Sequence, residues 1–441
     1  MDRIAGYKTH CAALMAGFRA AKALGIPIGL QKTTSNLFRR REQGTKHRLS
    51  VHSFDHVLHI DLDRMTADVE AMTTYGALVD ETLRYGLLPA VVPQLKTITV
   101  GGALSGLGIE SSSFKYGLVH ETVEEMDVLT GNGCIITCSP CKNRDLFFGF
   151  PNSHGALGYA LRIKVRLVPA KPYISLNHTR FSKRSDFFGY LDDLCDLRHG
   201  EQSSDFLDGT IFGPDEMYIT QARFTDDAPQ VSDYTYMDIY YRSLQRKQND
   251  WLTSKDYIWR WDTDWFWCSK HFGVQTPAIR FFAKPALNSY TYQRLMRLSQ
   301  RFLPVSPRGE SVIQDVQIPI ENAPAFCDFL LTDIGITPVW VCPFQSSGQT
   351  YDLCGLKPNQ LYINFGFWDI IPTTHESGHY NKMIEAKVAD FGGRKGLYST
   401  SFYDEETFWS MYDKTRYHEL KKTYDPDKRF PDLYAKCVER K

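Results

Sequence analysis

Thr99–Ser111 reads TVGGALSGLGIES and places four glycines among small and apolar residues. Glycine lets the backbone approach a ligand closely and adopt positive φ, and clustered backbone N–H groups can cradle phosphate oxygens. Gly106-Leu107-Gly108 lacks the third glycine of the dinucleotide fingerprint G-x-G-x-x-G, which argues against a nicotinamide-type Rossmann site. The stretch is too apolar for a solvated loop. This glycine-rich segment therefore predicts a buried ligand contact, with a surface loop as the alternative.

The segments before it follow helix and strand patterns. Leu14, Phe18, Ala21 and Leu24 recur at helical spacing, which predicts an amphipathic helix over residues 3–24 rather than a signal peptide. Periodicity and turn residues then predict a strand–loop–strand–strand–helix–strand unit. Its elements are Gly25–Leu30, His56–Asp63, Thr66–Met72, Tyr75–Tyr85 and Leu87–Val92.

The segments after it include strands and an unusual aromatic run. Val123–Leu129 and Cys134–Thr137 flank a Thr-Gly-Asn-Gly turn and predict a hairpin. Tyr159–Val168 alternates apolar residues with Arg and Lys, which is typical of an edge-accessible strand. Trp259–Trp267 reads WRWDTDWFW and holds too many aromatic rings for one buried face. For this aromatic segment we expect an exposed apolar surface that serves as a substrate wall or an interface, with a compact core as the alternative.

Composition excludes several classes of protein. Over 441 residues, 51 Lys+Arg balance 51 Asp+Glu and the pI is 7.2, which argues against a duplex-DNA partner. A hydrophobic fraction of 43% with 23% charged residues indicates a globular protein with sizeable cores. Because no apolar run reaches the roughly 18–20 residues that span a bilayer, we expect no transmembrane segment.

Cysteine and histidine patterns give no metal signature. Ten cysteines are too few for a disulfide scaffold, which indicates a reducing compartment. Cys138 and Cys141 form a lone C-x-x-C without the second pair that a zinc site needs. His375 and His379 do not match H-E-x-x-H and predict a loop. We therefore expect no metal site.

Several long segments resemble one family. Thr99–Val119, Asp145–Tyr173, Val339–Phe344, Glu405–Leu420 and Phe430–Lys436 are similar, in the same order, to segments of the delta(24)-sterol reductases. That family lies within the FAD-binding superfamily of the vanillyl-alcohol-oxidase or p-cresol-methylhydroxylase (PCMH) type. The resemblance covers nearly the whole chain and implies an α+β fold, with a two-lobed PCMH-type FAD-binding domain and an α+β substrate (cap) domain. The implied divisions are an N-terminal helix (1–24), lobe 1 (25–95), lobe 2 (96–172), the cap (173–390) and a segment returning to the FAD domain (391–441).

The resemblance implies FAD, held between the loop Lys32–Arg39 and the glycine-rich segment. Glu110 stands where many relatives in the superfamily carry the histidine that attaches the flavin, so we expect non-covalent FAD. We interpret the basic run 39–41 as a solvated charge run. The implied cofactor-binding residues are Thr33, Thr34, Ser35, Asn36, Thr99, Val100, Gly101, Gly102, Ala103, Leu104, Ser105, Gly106, Gly108, Ile109, Ser111, Gly155, Leu157, Gly158, Ile163 and Tyr398.

The activity that the resemblance implies is reduction of an isolated C=C bond in a sterol-like or isoprenoid lipid, in steroid biosynthesis, with NADPH as the reductant. No carbonyl activates such a bond, so a positioned acid matters. Glu110, Lys115 and Tyr116 are the candidate catalytic residues, with structural roles as the alternative for each. Two other functions stay open: an FAD-dependent oxidase or dehydrogenase of an alcohol (polyol, lactone or lipid-linked sugar), and a flavin-carrying binding or scaffold protein.

Location follows from the same resemblance. The animal members carry an N-terminal membrane anchor, and this chain begins beyond the corresponding position. We expect a cytoplasmic protein, soluble or in peripheral contact with a membrane, that acts on a hydrophobic small molecule. The sequence leaves the oligomeric state open.

Overall fold

A computed structural model describes residues 3–32, 37–39, 46–200, 203–302 and 309–439, with the backbone alone for 296–302. The strands are β1 (Ile28–Gln31), β2 (His47–Ser50), β3 (Val57–Asp61), β4 (Thr66–Glu70), β5 (Leu87–Pro89), β6 (Val123–Leu129), β7 (Ile135–Cys138), β8 (Tyr159–Pro169), β9 (Tyr173–Phe181), β10 (Phe206–Gly213), β11 (Glu216–Thr225), β12 (Asn249–Thr253), β13 (Gly309–Pro319), β14 (Val339–Gln345), β15 (Leu361–Pro372) and β16 (Arg394–Lys395). The helices are α1 (Arg3–Ala23), α2 (Tyr75–Thr82), α3 (Val100–Ser105), α4 (Ser113–Tyr116), α5 (Arg144–Gly149), α6 (Arg184–Asp196), α7 (Tyr240–Ser243), α8 (Ser254–Ile258), α9 (Pro277–Ala283), α10 (Ser289–Phe302), α11 (Ala323–Phe329), α12 (His379–Asp390), α13 (Glu405–Met411), α14 (Lys414–Tyr424) and α15 (Leu433–Cys437).

A six-stranded antiparallel sheet supports the glycine-rich segment. Its order is β3-β4-β8-β6-β7, and β5 also pairs with β8. Strands from both sides of the predicted division at 95/96 therefore share one sheet. The prediction that β8 is edge-accessible is wrong, because β8 lies between β4 and β6. Its outward charge is satisfied inside the sheet, where Arg162 forms ion pairs with Asp68, Glu125 and Asp127.

The N-terminal helix packs on this sheet through one face. Tyr7, Leu14, Phe18 and Ala21 of α1 are buried, at the helical spacing that the sequence predicts. They join a core that includes residues of β1, β2 and β6. Leu24 follows the helix and is exposed, so it does not belong to the buried face. The predicted amphipathic helix is otherwise confirmed.

An eight-stranded sheet follows in the chain. Its order is β12-β9-β11-β10-β14-β15-β13-β16, and every pairing is antiparallel. The two longest strands, β13 and β15, pair along their full shared length from Gly309 opposite Pro372 to Pro319 opposite Tyr362. Long, continuous pairing holds the side chains of β13 in a fixed alternation between the two faces of the sheet.

The aromatic segment is buried, so the expectation of an exposed apolar surface is wrong. All five of its rings are less than 9% exposed. Trp265 and Phe266 both adopt positive φ, at 47° and 61°. Because this turn directs successive side chains to different surroundings, the rings do not compete for one face. Trp261 and Trp267 enter the core, while Trp265 and Phe266 also line a cavity.

The C-terminal segment contacts the six-stranded sheet and its neighbours. Lys421 Nζ donates to the carbonyl of Ala156 at 2.6 Å, and the amide of Gly131 donates to the carbonyl of Tyr424 at 2.7 Å. These contacts join residues that are far apart in sequence. Across the described ranges, no helix is both long and apolar enough to cross a membrane.

Candidate active site

A cavity of about 370 Å³ opens where the glycine-rich segment faces the eight-stranded sheet. Its wall combines the glycine-rich segment, the aromatic segment and three adjacent strands, β13, β14 and β15. Most of the lining is apolar. The lining residues are Lys32, Leu37, Phe38, Pro93, Gln94, Leu95, Ile98, Thr99, Gly102, Ala103, Ser105, Gly106, Leu107, Gly108, Ile109, His154, Trp265, Phe266, Cys268, His271, Phe272, Ser311, Ile313, Asp315, Gln317, Trp340, Trp368, Asp369, Ile370, Gly396 and Tyr398.

The glycine-rich segment forms a short helix and the extended turn after it. Thr99 caps α3, since its hydroxyl accepts a 3.2 Å hydrogen bond from the amide of Gly102. A Cβ atom on Gly101 would lie 2.8 Å from the Cβ atom and the carbonyl oxygen of Ala71, so glycine lets α3 approach the chain just after β4. Gly102 and Gly106 then present backbone, without side chains, to the cavity.

The structure brings part of the predicted cofactor-binding set to the cavity. The members that line it are Thr99, Gly102, Ala103, Ser105, Gly106, Gly108, Ile109 and Tyr398. The members that lie outside its lining are Val100, Gly101, Leu104, Ser111, Gly155, Leu157, Gly158 and Ile163. Several of these, such as Leu157 and Ile163, are core residues with no exposed surface. Thr33, Thr34, Ser35 and Asn36 lie outside the described residues.

One face of β13 supplies polar groups to the cavity. Ser311, Ile313, Asp315 and Gln317 all line it, as alternate residues of one strand must. Gln317 donates to Asn364 of β15 at 2.9 Å, while its own amide oxygen is buried without a hydrogen-bond partner among the described residues. An acceptor left in this way is available to a hydrogen-bond donor of a ligand or of a water molecule in the cavity.

Asp315 is the centre of a hydrogen-bonded chain in this wall. Its Oδ2 accepts from the Tyr398 hydroxyl at 2.6 Å, and its Oδ1 accepts from the Asn364 amide at 2.7 Å. Trp368 Nε1 donates to the Tyr398 oxygen at 2.9 Å. Burial raises the pKa of Asp315 to about 6, although both hydrogen bonds favour the ionised form. Burial also raises the pKa of Tyr398 well above its ordinary value, so its hydroxyl stays protonated.

A second carboxylate in the same cavity behaves in the opposite way. Asp369 accepts from Lys270 at 2.6 Å and lies 3.0 Å from His271 Nε2. Burial acts to raise the pKa of Asp369, but the hydrogen bonds from His271 and Lys270 outweigh it and hold the pKa at about 2. Two carboxyl groups whose surroundings drive their pKa values apart are a common mark of acid–base chemistry.

Glu110 does not line the large cavity. Its carboxylate accepts from Ser111 at 2.6 Å and pairs with Arg260 at 3.1 Å, with both charged side chains fully enclosed. Arg260 also pairs with Asp208 at 2.8 Å, and Asp208 accepts from Trp340 of the cavity wall at 3.0 Å. Burial raises the pKa of Glu110, and the Arg260 charge opposes that rise. This geometry favours the structural role for Glu110 over the catalytic one.

Lys115 and Tyr116 also lie away from the large cavity. Lys115 Nζ is 3.6 Å from Asp205, and it sits 5.9 Å from the centre of the Tyr116 ring. Tyr116 and Glu110 line a separate cavity of about 230 Å³. None of the three predicted catalytic residues therefore faces the glycine-rich wall, because the chain turns away from the large cavity after Ile109.

FAD fits the residues that are present. The glycine-rich wall leaves the backbone accessible to a flat ring or a phosphate. The buried amide oxygen of Gln317 can accept a hydrogen bond from a group in the cavity. Arg39 follows the lining residues Leu37 and Phe38 but does not itself line the cavity, and its buried guanidinium donates to the carbonyl of Leu397 and interacts with the Cys437 thiol. At 5% exposure Arg39 is not part of a solvated run, so that interpretation is wrong for it. Arg40 and Arg41 lie outside the described residues.

One cluster of potential metal ligands occurs away from the cavity. Asp55, His56 and Glu70 place three ligand atoms within 4.8 Å of one another. Glu70 already accepts from His56 Nδ1 at 3.0 Å and from the His56 amide at 3.0 Å, and it contacts His10 Nδ1 at 2.9 Å. Hydrogen bonding accounts for the cluster without an ion.

Sequence reasoning missed the polar face of β13. The run ESVIQDVQIP carries Ser311, Asp315 and Gln317 at alternate positions among branched apolar residues. This period-2 pattern predicts a strand with one polar face, and a polar face inside an apolar region is a signal for a site.

Comparisons with known proteins agree with this geometry. Residues 9–139 match the family model of an FAD binding domain. The delta(24)-sterol reductase of Homo sapiens is 27% identical over 405 residues, which cover 86% of this chain and 75% of that protein. The homologue in Caenorhabditis elegans is 23% identical (86% and 77% covered), and the Arabidopsis thaliana reductase is 24% identical (87% and 75% covered).

The comparisons confirm both the suspected family and FAD as the cofactor. The matched FAD-binding region contains the whole glycine-rich segment, which forms one wall of the cavity. The mixture of helices with two large antiparallel sheets confirms the α+β class. The chain is therefore an FAD-dependent oxidoreductase and a homologue of the delta(24)-sterol reductases.

Proposed function

We propose that the protein reduces an isolated C=C bond in the side chain of a sterol-like or isoprenoid lipid, with NADPH as the source of electrons. The observation that carries this proposal is the cavity itself, which joins the glycine-rich wall of the FAD-binding region to an aromatic and aliphatic wall. Apolar pockets with a few placed polar groups are suited to hydrophobic ligands. The names of the relatives, delta(24)-sterol reductases, support the same substrate class.

The glycine-rich segment and Arg39 would hold the cofactor. Gly102 and Gly106 leave the backbone accessible to a ligand in the cavity. Arg39 is next in sequence to the lining residues Leu37 and Phe38, and its buried guanidinium would offer charge to a phosphate at that end of the cavity. FAD, when bound and reduced, supplies a hydride to one carbon of the double bond. We propose non-covalent binding, and we keep the five-part division of the chain as a prediction.

The aromatic wall would hold the substrate and exclude water. Trp265, Phe266 and Trp340 line the cavity and are themselves almost fully buried. Their rings offer a large apolar contact area, and a dry site strengthens each hydrogen bond to a reacting group. The polar face of β13 lines the same cavity, so its acid–base groups would be available to the double bond of a bound substrate.

Rapid-mixing spectroscopy tests the proposal. The purified holoprotein is photoreduced without oxygen and mixed with a sterol that carries a side-chain double bond, such as desmosterol. We expect the sterol to reoxidise the flavin, and the saturated analogue cholesterol to leave it reduced. Reoxidation by oxygen alone, together with reduction by alcohols, would favour the alcohol oxidase or dehydrogenase. A flavin that exchanges electrons with no donor or acceptor would favour the binding or scaffold protein.

A second titration tests the reductant. NADPH added anaerobically to the oxidised holoprotein should bleach the flavin absorbance in a stoichiometric manner. If photoreduction bleached the flavin and NADPH did not, the reductant would be a different compound. That result would not contradict the proposed reduction of the C=C bond.

A further inference from the structure

We propose that the Tyr398 hydroxyl delivers the proton to the substrate carbon that does not receive hydride, and that Asp315 reloads Tyr398. This inference rests on the proposed reduction of a C=C bond and assigns its proton donor. Both side chains line the cavity, and a single 2.6 Å hydrogen bond joins them.

The hydrogen-bond geometry gives Tyr398 two states. While Asp315 is ionised, Tyr398 donates its only proton to Oδ2 of Asp315 and accepts from Trp368 Nε1 at 2.9 Å. When Asp315 carries a proton on Oδ2, that proton can be donated to the Tyr398 oxygen. The hydroxyl hydrogen of Tyr398 then has to turn away from both partners, and the open side of the residue is the cavity. Protonation of Asp315 thus presents the tyrosine proton to the substrate.

The surroundings of Asp315 let it hold a proton near neutral pH. Asn364 and Gly366 face it from β15, and Trp340 approaches from β14. The titratable groups that influence it are the Tyr398 hydroxyl and the Cys342 thiol, and burial raises the pKa of both. No charged side chain is among the interactions described for Asp315. Asp369, by contrast, is held ionised by Lys270 and His271 and cannot serve as the acid.

The step balances in atoms and electrons. The π bond of the olefin breaks and two C–H bonds form, one from the hydride and one from the Tyr398 proton. The Tyr398 O–H bond breaks as the proton of Asp315 moves to the phenolic oxygen, so no phenolate accumulates. Asp315 is left as a carboxylate and takes one proton from water before the next turnover. NADPH is the net reductant, and it loses two electrons while the olefin gains them.

The test uses the holoenzyme with Asp315→Asn and Tyr398→Phe. Asp352→Asn is the matched control, because burial also raises the pKa of Asp352 but it lies outside the cavity. Photoreduced protein is mixed with desmosterol between pH 5 and 8. We expect each cavity variant to slow flavin reoxidation at least about 100-fold, while the control behaves as the wild type. The wild-type rate should fall as the pH rises, and this pH dependence should vanish in Asp315→Asn.

An independent readout needs no turnover. Infrared difference spectra of the oxidised holoprotein should show a protonated carboxyl band that titrates near neutral pH and is missing in Asp315→Asn. Variants that reoxidise as fast as the wild type, or a carboxyl band that titrates like an ordinary aspartate, would overturn the assignment. A wild-type enzyme that desmosterol cannot reoxidise at all would instead overturn the proposed function on which the assignment rests.

Discussion

Glu110 Oε1 lies 3.1 Å from Nη2 of Arg260, and neither side chain is more than 1% exposed. The pair connects the end of the glycine-rich segment to the start of the aromatic segment. Asp208 completes the cluster at 2.8 Å from the same nitrogen. Two carboxylates therefore share one buried cation, and the cluster connects the glycine-rich segment, the aromatic segment and β10.

Removing the cation should destabilise the protein severely. Arg260→Met leaves Glu110 and Asp208 buried without a counter-charge, so we expect the free energy of unfolding to fall by about 3–5 kcal/mol. Urea denaturation followed by tryptophan fluorescence measures the loss. Lys255→Met is the control: its ion pair with Asp80 is half exposed on both sides, and its loss should cost under ~1 kcal/mol. Equal effects of the two substitutions would contradict the structural role of the cluster.

The stability of the wild type relative to Asp315→Asn should depend on pH. The pKa of Asp315 is raised from 3.8 to about 6 in the folded protein, so the ionised carboxylate disfavours folding. Below pH 3.8 both states hold the proton and the effect is absent. Between about pH 3 and pH 7 the wild type should lose about 3 kcal/mol relative to the variant. Unfolding curves for the two proteins at several pH values measure the difference, and a pH-independent difference would refute the raised pKa.

Gly366 provides the space that Asp315 occupies. A Cβ atom at this position would lie 2.7 Å from Asp315 Oδ1 and 3.2 Å from atoms of the Trp340 and Trp368 rings. Gly366→Ala should therefore displace the carboxylate from its donors and cost about 1–3 kcal/mol of stability. Because the ionised form loses hydrogen bonds, the infrared titration of Asp315 should move to higher pH.

Gly189 supplies the matched control for that substitution. It lies on the exposed face of α6, and a Cβ atom there would meet nothing within 4 Å. Gly189→Ala should raise the stability by about 0.5–1 kcal/mol, as expected for an exposed helical glycine, and leave the titration unchanged. If Gly366→Ala changed the stability and the infrared titration no more than this control does, the Asp315 carboxylate would not depend on the space that Gly366 leaves.

Acid precipitation should release the flavin into the supernatant. Glu110, which stands where superfamily members carry an attaching histidine, is held by Arg260 and Ser111 outside the cavity. Absorbance of the pellet and the supernatant after acid treatment measures the partition. A yellow pellet would contradict non-covalent binding, and peptide mapping should then begin at His154, a histidine that does line the cavity.

Much of the fold was predictable because local patterns agree with tertiary packing. The helix α1, the strands β3 and β4 and the hairpin of β6 and β7 follow directly from periodicity and turn residues. The position of β8 was not predictable in this way. Its alternating charges resemble those of an edge strand, and only the cross-strand carboxylates, far away in sequence, allow Arg162 to lie in the middle of a sheet.

The candidate site was predictable on one side only. Glycines at 102, 106 and 108 reveal a close backbone approach by themselves, because no other residue type serves that purpose as well. The acid–base groups lie on β13 and just after β16, and they meet only because the eight-stranded sheet places these elements side by side. Because they are close in sequence to the glycines, Glu110, Lys115 and Tyr116 were the predicted catalytic residues. None of them lines the cavity in the structure.

The two walls of the cavity come from distant parts of the polypeptide, residues 93–109 on one side and β13 to β15 on the other. A gene divided between β8 and β9 would encode two fragments. Each fragment would expose one apolar wall of the cavity to solvent. Such fragments should aggregate when produced alone and recover yellow colour only when co-expressed. Both parts of the chain are thus needed to form the cavity. A chimera that takes one part from a relative has to preserve the contacts between the two parts.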